Sequence, residues 1–356
     1  MDKTPEIIGS HFEVDEKNEI FENQTTLALE ALEAAMGQHT FESDDFYEIV
    51  KEHKNLLELN PQHIHNGPFR ALLENYAIDL LKSGHFNASA AWARCAYIVG
   101  RRFAHGWFAY LNSIIAAGIF PSVSFATIDS NSVDQTEINI PRRIMQFWDS
   151  PNPPSDVAAL MDRTKTKSVD WLYERYTEQE ATNFIGQYFG ERVLSAFNRL
   201  SHVAAKSDLF RYCYIYQMGG VYLDADEYCD EDFTQLISPA LSFLLTWTPD
   251  KVPCINTWFI ASERGNRLIK NAIDLCVIQV EGGIEKNLKL NAWVLTGPGV
   301  LTMVLLDDIA KNGIPISSNN LCLMEASEYR KKFHSEEHLE YRSDPKSNWR
   351  LQDLSS

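Results

Sequence analysis

The stretch SDLFRYCYIYQMGGVYLDADEY, Ser207 to Tyr228, constrains what this chain can fold into more than any other segment. An apolar, aromatic run breaks at Gly219-Gly220, the residue type that most readily takes φ > 0 at a helix end. It restarts as Val221-Tyr222-Leu223 and then projects Asp224, Asp226 and Glu227. Carboxylates at the mouth of a buried strand are costly to desolvate unless something cationic waits for them. Upstream, Asp208 and Arg211 are three apart and share a helix face, with Tyr212 and Ile215 close to it. Helix, glycine break and buried strand make one unit of an α/β sheet, where ligands bind at the carboxyl ends of strands.

The flanking sequence agrees with that architecture. RRIMQFW reads as a short strand, VAALMDRT and EATNFIGQYFG as helices, and residues 191–220 as a helical region. VYLDAD and LSFLLTW read as strands, and NRLIKNAIDLCVIQV as a helix. Such alternation predicts helices covering a largely parallel sheet.

The first third differs. From about residue 24 to 118 the periodicity is helical throughout, as in TTLALEALEAAM, PFRALLENYAIDLLKSG and NASAAWARCAYIVG. Gly84 and Gly118 stand one tetratricopeptide period apart, each followed two positions later by an aromatic, Phe86 and Phe120. Ala93, Ala96 and Trp107 fall where such a repeat puts small and bulky packing residues. A plain helical bundle fits equally well. The polar stretch SFATIDSNSVDQTEINIP separates the halves. The division expected is a helical module at 1–121, a linker at 122–139 and an α/β domain at 140–356.

Composition narrows the function classes. The 32 Lys and Arg against 49 Asp and Glu, a net charge of −17, exclude a generic nucleic-acid or anionic-membrane surface, so a phosphate ligand needs a local site. The N-terminus lacks a basic start and an apolar core of signal-peptide type, and no run reaches about 18 uninterrupted apolar residues. A soluble, cytoplasmic chain without a transmembrane segment is expected. Six cysteines (95, 213, 229, 254, 276 and 322) are scattered without CxxC spacing and read as buried, reduced thiols. The ten histidines show no HExxH spacing, and neither a Walker loop nor GxSxG occurs.

Two carboxylates spaced i, i+2 at a strand edge can jointly address one divalent ion. Hard cations such as Mg²⁺ and Mn²⁺ take oxygen ligands, and a diphosphate supplies the remainder. Arg211 can fork onto oxygens of the sugar or diphosphate, and Asp208 can accept from hydroxyls. A lone Asp-x-Asp is more often a solvated turn. The Ser-Asp-x-x-Arg helix, the Gly-Gly break and the apolar strand set this one apart. Asp226, Glu227, Asp230, Glu231 and Asp232 read as half metal site, half solvated acidic loop. Trp92, Trp107 and Trp171 read as core.

The order Ser207-Asp208-x-x-Arg211 … Gly219-Gly220-Val221-Tyr222-x-Asp224-x-Asp226 resembles sugar transferases that contain a DXD motif: Golgi α-mannosyltransferases, capsular-polysaccharide transferases and, more distantly, the catalytic domains of glucosylating toxins. IPRRIMQFW (Ile140 to Trp148) resembles that family's opening strand, CINTWFIAS the strand carrying an active-site Asn, and TGPGVLT a later block. The resemblance spans about residues 138 to 305.

It implies a GT-A (Rossmann-like) nucleotide-sugar-binding fold and a UDP- or GDP-linked sugar donor. It further implies Mn²⁺ or Mg²⁺, and transfer to a glycan, glycolipid or protein acceptor with retention of configuration, in a role such as capsule polysaccharide biosynthesis. Carried across, Asp224 touches the donor's ribose or sugar and shares the metal with Asp226. Asp208 and Arg211 hold the sugar hydroxyls, Trp148 stacks near the base, and Asn256 approaches the sugar or the glycosidic oxygen. Asp208, Arg211, Asp224 and Asn256 are thus the catalytic candidates, Trp148, Asp208, Arg211 and Asp224 the donor-binding ones, and Asp224 and Asp226 the metal ligands. With no second carboxylate placed as a nucleophile, a front-face displacement is preferred. Met145 replaces the family's usual His, and its C-terminal His and Ser-Trp block is only loosely echoed by His338 and Asn348-Trp349. Two alternatives stand: a non-catalytic scaffold whose helices bind a protein partner, and a nucleotide-sugar hydrolase.

Overall fold

The computed structural model describes residues 26–37, 44–59, 67–100, 105–120, 124, 139–237, 241–249, 253–285, 292–312, 321–336 and 338–343. The expected linker at 122–139 lies, apart from Ser124 and Asn139, outside the described residues. The chain divides into two compact units, one built from residues up to Ile119 with Ala310–Gly313, the other from the remainder.

The first unit is helical: α1 (residues 26–37), α2 (Asp44–Leu59), α3 (Gly67–Lys82), α4 (Phe86–Gly100) and α5 (His105–Ala116). Consecutive helices α3, α4 and α5 pack on one another. Ala93 and Ala96 are fully buried, and their small side chains leave room for close helix approach. The Ser89 hydroxyl donates to the Ala77 carbonyl at 2.6 Å and lies 2.7 Å from Ser113 Oγ, which ties all three helices together through a dry polar point. Gly84 and Gly118, at φ +81° and +66°, make the turns after α3 and α5. Trp92 is core, as is Trp171 in the second unit; the Trp107 side chain lies outside the described residues.

The second unit is α/β. Its elements are β1 (Arg143–Phe147), α6 (Ser155–Lys167), β2 (Leu172–Tyr176), α7 (Glu178–Tyr188), α8 (Gly190–Arg199), α9 (Val203–Met218), β3 (Gly220–Leu223), β4 (Glu227–Cys229), α10 (Phe233–Leu236), β5 (Phe243–Thr248) and β6 (Cys254–Ser262). There follow α11 (Arg267–Glu285), α12 (Ala292–Leu295), α13 (Pro298–Asn312), β7 (Leu321–Glu325), α14 (Ala326–Tyr329), β8 (Phe333–Ser335) and α15 (Glu340–Ser343). Six strands form one sheet in the order β2-β1-β3-β6-β5-β7. β6 alone runs against the others, so the sheet is mostly parallel. β4 and β8 make a separate antiparallel pair.

Period-two alternation sorts the side chains of the central strands. Ile144, Val221 and Leu223 join a core with Trp171, Phe233, Phe259, Tyr329 and Phe333. Phe147 and Tyr222 turn the other way, toward α9, where Phe147 meets Phe210 at 5.8 Å. Helix α9 is buried along most of its length, which explains why its sequence carries no amphipathic stripe.

The helical region expected at 191–220 consists of two helices, because Leu200 and His202 adopt extended backbone between them. β2 escaped notice because Glu174 and Arg175 interrupt its alternation; it is an edge strand, where Glu174 pairs with Arg143 at 2.9 Å. The acidic run after Asp226 is partly solvated, as expected, and also paired: Asp230, 41% exposed, binds Arg163, Glu231 binds Lys332, and Asp232 caps α10 at 2.9 Å. All six cysteines are free and buried. Ala292–Asn312 holds a window of mean hydropathy 1.4, long and apolar enough to cross a membrane, and 67% of that window is buried within the protein.

Candidate active site

The site forms where β1 and β3, parallel neighbours, both end. Gly219 and Gly220, at φ +66° and +97°, join α9 to β3 at close quarters. A Cβ on Gly220 would sit 2.7 Å from the Arg143 carbonyl oxygen, and one on Gly219 2.8 Å from the Pro141 ring. Only glycine therefore lets the helix reverse directly into the strand, and this reversal sets Asp208 and Arg211 beside the residues that follow Leu223.

Arg211 is 5% exposed and holds the site together. Its Nη2 lies 3.1 Å from Asp208 Oδ1 and donates to Ser207 Oγ at 3.0 Å. Its Nη1 donates to the Thr257 carbonyl at 2.6 Å and lies 3.4 Å from Asp224 Oδ1. The guanidinium carbon stands 4.3 Å above the Tyr222 ring. Burial disfavours its charge, but Tyr222, Asp208 and Asp224 more than compensate and hold the guanidinium protonated. Burial pushes the Asp208 carboxyl up to about 6, with Arg211 pulling the other way and Asp224 adding to the rise. Thr296 donates to Asp208 Oδ2 at 3.1 Å. Asp224 is also raised by burial, again opposed by Arg211, and accepts from the Tyr222 hydroxyl at 2.5 Å. The cationic partner that the strand-end carboxylates require is thus, in part, an arginine one helix back.

Around Asp224 the turn is fixed by Gln146 of β1. Its amide nitrogen donates to the carbonyls of Asp224 at 3.0 Å and Glu227 at 3.3 Å, while its oxygen accepts from Tyr173 at 2.8 Å. Asp226, one turn residue further, is held by α15: Tyr341 OH and Arg342 Nη2 both donate to Asp226 Oδ2 at 2.6 Å. Glu227 is 3% exposed and accepts from Arg330 at 2.5 Å and Tyr329 at 3.3 Å. Its carboxyl is pushed by burial up to about 7 against the pull of Arg330.

Trp148 follows β1 directly and meets Tyr341 edge-on, with ring centroids 5.4 Å apart. Asn256 lies in β6, where the pairing with β5 slips between Leu245 and Trp247. Its Oδ1 accepts from Thr248 at 3.0 Å, and its Nδ2 is buried without a hydrogen-bond partner, as are Trp258 Nε1 and Thr246 Oγ1. Buried polar atoms that go unmatched cost stability.

The donor set suits a hard cation. Arg211 and Tyr222 engage Asp224 through Oδ1, and Tyr341 and Arg342 engage Asp226 through Oδ2, which leaves one oxygen of each carboxylate outside these bonds. Two carboxylate oxygens completed by a diphosphate match the chemistry of Mg²⁺ or Mn²⁺. Among the described residues no cluster of three or more His, Cys, Asp or Glu is arranged to hold a metal by itself.

The structure thus gathers Asp208, Arg211, Asp224 and Asp226 at one strand end, with Trp148 beside them at the end of β1. Sequence reading missed Gln146, Arg330, Tyr341 and Arg342. Gln146 was within reach, since a buried amide one residue before the end of a strand needs partners there. The α15 residues carried no local signal. Met145, where the resemblance leads one to expect a His, is fully buried in β1. His338 is exposed, and Asn348-Trp349 lies outside the described residues.

Residues 142–242 match the family described as a glycosyltransferase sugar-binding region containing a DXD motif. The matched segment contains Trp148, Asp208, Arg211, Asp224 and Asp226, while Asn256 and α15 lie beyond it. The chain is 27% identical over 146 residues to inositol phosphoceramide mannosyltransferase 1 of Schizosaccharomyces pombe, an alignment covering 40% of this chain and 44% of that protein. The chain therefore spans less than half the length of the curated relative it matches. A solved structure, PaToxG glycosyltransferase, superposes with a TM-score of 0.41 at 18% identity, covering 52% of this chain and 75% of that one.

Proposed function

We propose that the α/β unit is a metal-dependent glycosyltransferase of GT-A type. It moves a sugar from a nucleoside-diphosphate donor to a glycan, glycolipid or protein acceptor with retention of configuration. One observation carries the reading: the ion-paired set Asp208–Arg211–Asp224 converges with Asp226 at the carboxyl end of β3, inside the segment that matches the DXD-containing family.

The residues divide the work as follows. Trp148 offers an aromatic face to the nucleobase. Asp208 and Arg211, locked to each other, present an acceptor and a donor to sugar hydroxyls. Asp224 meets the ribose or sugar, and its negative charge favours an anomeric carbon that becomes oxocarbenium-like as the bond to the diphosphate lengthens. Asp226 and Asp224 would hold a divalent cation, whose positive charge would stabilise the departing diphosphate oxygen. Asn256, whose amide N–H groups are unmatched, donates to the sugar or the glycosidic oxygen. Gln146 holds the turn's backbone so that these groups need not reorganise during reaction. Leaving and entering groups share one face, in keeping with retention. The helices of the first unit serve to recruit an acceptor or a protein partner.

The test is thermal stabilisation against UDP-, GDP- and TDP-sugars, with GDP-mannose in the panel because the relative's name is that of a mannosyltransferase. A ligand that binds the native state raises Tm by mass action. A shift with one nucleotide that needs both Mn²⁺ and Asp226 is expected. No shift with any donor at saturating Mn²⁺ would overturn the reading. Product analysis then separates transfer from hydrolysis.

A further inference from the structure

We propose that Arg342 is an internal counter-cation of the Asp-x-Asp turn, exchanged for the divalent ion, so that metal binding releases α15 from the site. The inference rests on the metal-dependent reading above and adds to it an order of events.

Segment 338–343 is a strap laid across the turn. Leu339 packs into a small cluster with Val157, Leu160, Met161, Tyr228 and Ala225, the residue between the two aspartates. The Glu340 amide donates to Asp156 Oδ2 at 2.6 Å. Tyr341 and Arg342 then converge on a single atom, Asp226 Oδ2, each at 2.6 Å, and the Tyr341 ring lies against Trp148. The Arg342 and Asp226 side chains are 19% and 17% exposed, so this is a half-buried ion pair rather than a solvent-screened one.

A divalent cation bound through Asp226 would share that carboxylate with a guanidinium already seated on it. Like charges at such separation in a partly dehydrated site repel strongly. The carboxylate has one further oxygen, but the charge conflict remains whichever oxygen the metal takes. Metal and Arg342 are therefore competitors. Once Arg342 leaves, the strap keeps Leu339 and the Glu340 amide bond but loses its grip on the turn, and Tyr341 no longer has reason to stay on Trp148. Nucleobase access at Trp148 thus follows metal loading.

The experiment titrates Mn²⁺ alone, without donor, into the full chain and follows free Mn²⁺ by electron paramagnetic resonance, with amide hydrogen exchange at Glu340 and Arg342 as a second readout. Arg342→Gln keeps much of the stem but removes the charge, and it should bind Mn²⁺ roughly tenfold tighter than wild type. Tyr341→Phe should move in the same direction by less, and Arg342→Lys should stay near wild type. Mn²⁺ should speed exchange at Arg342 in the wild type and leave the Glu340 amide, which stays bonded to Asp156, protected. Asp226→Asn should abolish Mn²⁺ binding. Equal or weaker Mn²⁺ binding by Arg342→Gln, alongside Asp226-dependent binding by wild type, overturns the exchange while leaving the metal-dependent reading intact. No Mn²⁺ binding by wild type or by Arg342→Gln overturns the exchange, while the metal-dependent reading, in which a diphosphate completes the site, is decided by the donor experiment above.

Discussion

Arg211 Nη1 lies 3.4 Å from Asp224 Oδ1, which joins the middle of α9 to the first residue beyond β3. The same guanidinium lies 3.1 Å from Asp208. One buried cation therefore serves two carboxylates from different elements. Replacing it by Leu strands Asp208 at 6% exposure without its ion-pair partner. Arg211→Leu should cost about 3–5 kcal/mol of unfolding free energy in urea. A loss under about 1 kcal/mol would mean that the pair is solvated and not a structural tie.

Stability should also carry the signature of Asp208 in its pH dependence. The carboxyl lies at about 6 in the folded chain against an ordinary 3.8, so the native state holds this proton more tightly than the unfolded chain does. The resulting stabilisation is complete below pH 4 and is lost as the pH rises through 6, amounting to about 3 kcal/mol. Asp208→Asn lacks this titration. The variant's stability relative to wild type should therefore climb between pH 4 and 6 and level off above 7, as read from urea unfolding at each pH. A constant difference across the window would show Asp208 ionised throughout.

Gln146 is the pin of the turn. Gln146→Leu leaves the Asp224 and Glu227 carbonyls without its amide, a loss of about 1–3 kcal/mol. Because the turn carries both aspartates, Mn²⁺-dependent stabilisation by a nucleotide-sugar should weaken as well. Retained ligand stabilisation in a destabilised Gln146→Leu protein would separate the pin from the site.

Gly220→Ala tests the helix-to-strand reversal. The new methyl would meet the Arg143 carbonyl oxygen at 2.7 Å with φ at +97°, and that oxygen belongs to strand backbone that cannot swing aside. A loss of at least about 2 kcal/mol is expected, measured as a fall in Tm. Gly84→Ala, with φ +81° but nothing within 4 Å, should lose less, about 1 kcal/mol.

The local arrangement of the site was legible because it is written in neighbouring residues. Three-residue spacing put Asp208 and Arg211 on one helix face, Gly219-Gly220 announced a conformation few other residues adopt, and the apolar strand fixed the end at which Asp224 and Asp226 emerge. These are short-range consequences of helical and strand periods and of backbone sterics. Other features were beyond such reading. The edge strand β2 lacks alternation because the adjacent Glu174 and Arg175 interrupt it, and the acidic run after Asp226 pairs with Arg163, Lys332 and Arg330, none of them near it in sequence.

By itself, then, the sequence determined that an α/β sheet follows a helical region, and that carboxylates and an arginine meet at one strand end. Only the tertiary structure decided that Asp226 is seated against Arg342, more than a hundred residues further on, and that Gln146 clamps the turn. The reason is physical. A helix or strand period fixes what lies within a few residues, whereas the partner of a half-buried charge is chosen by whichever distant segment the core brings against it.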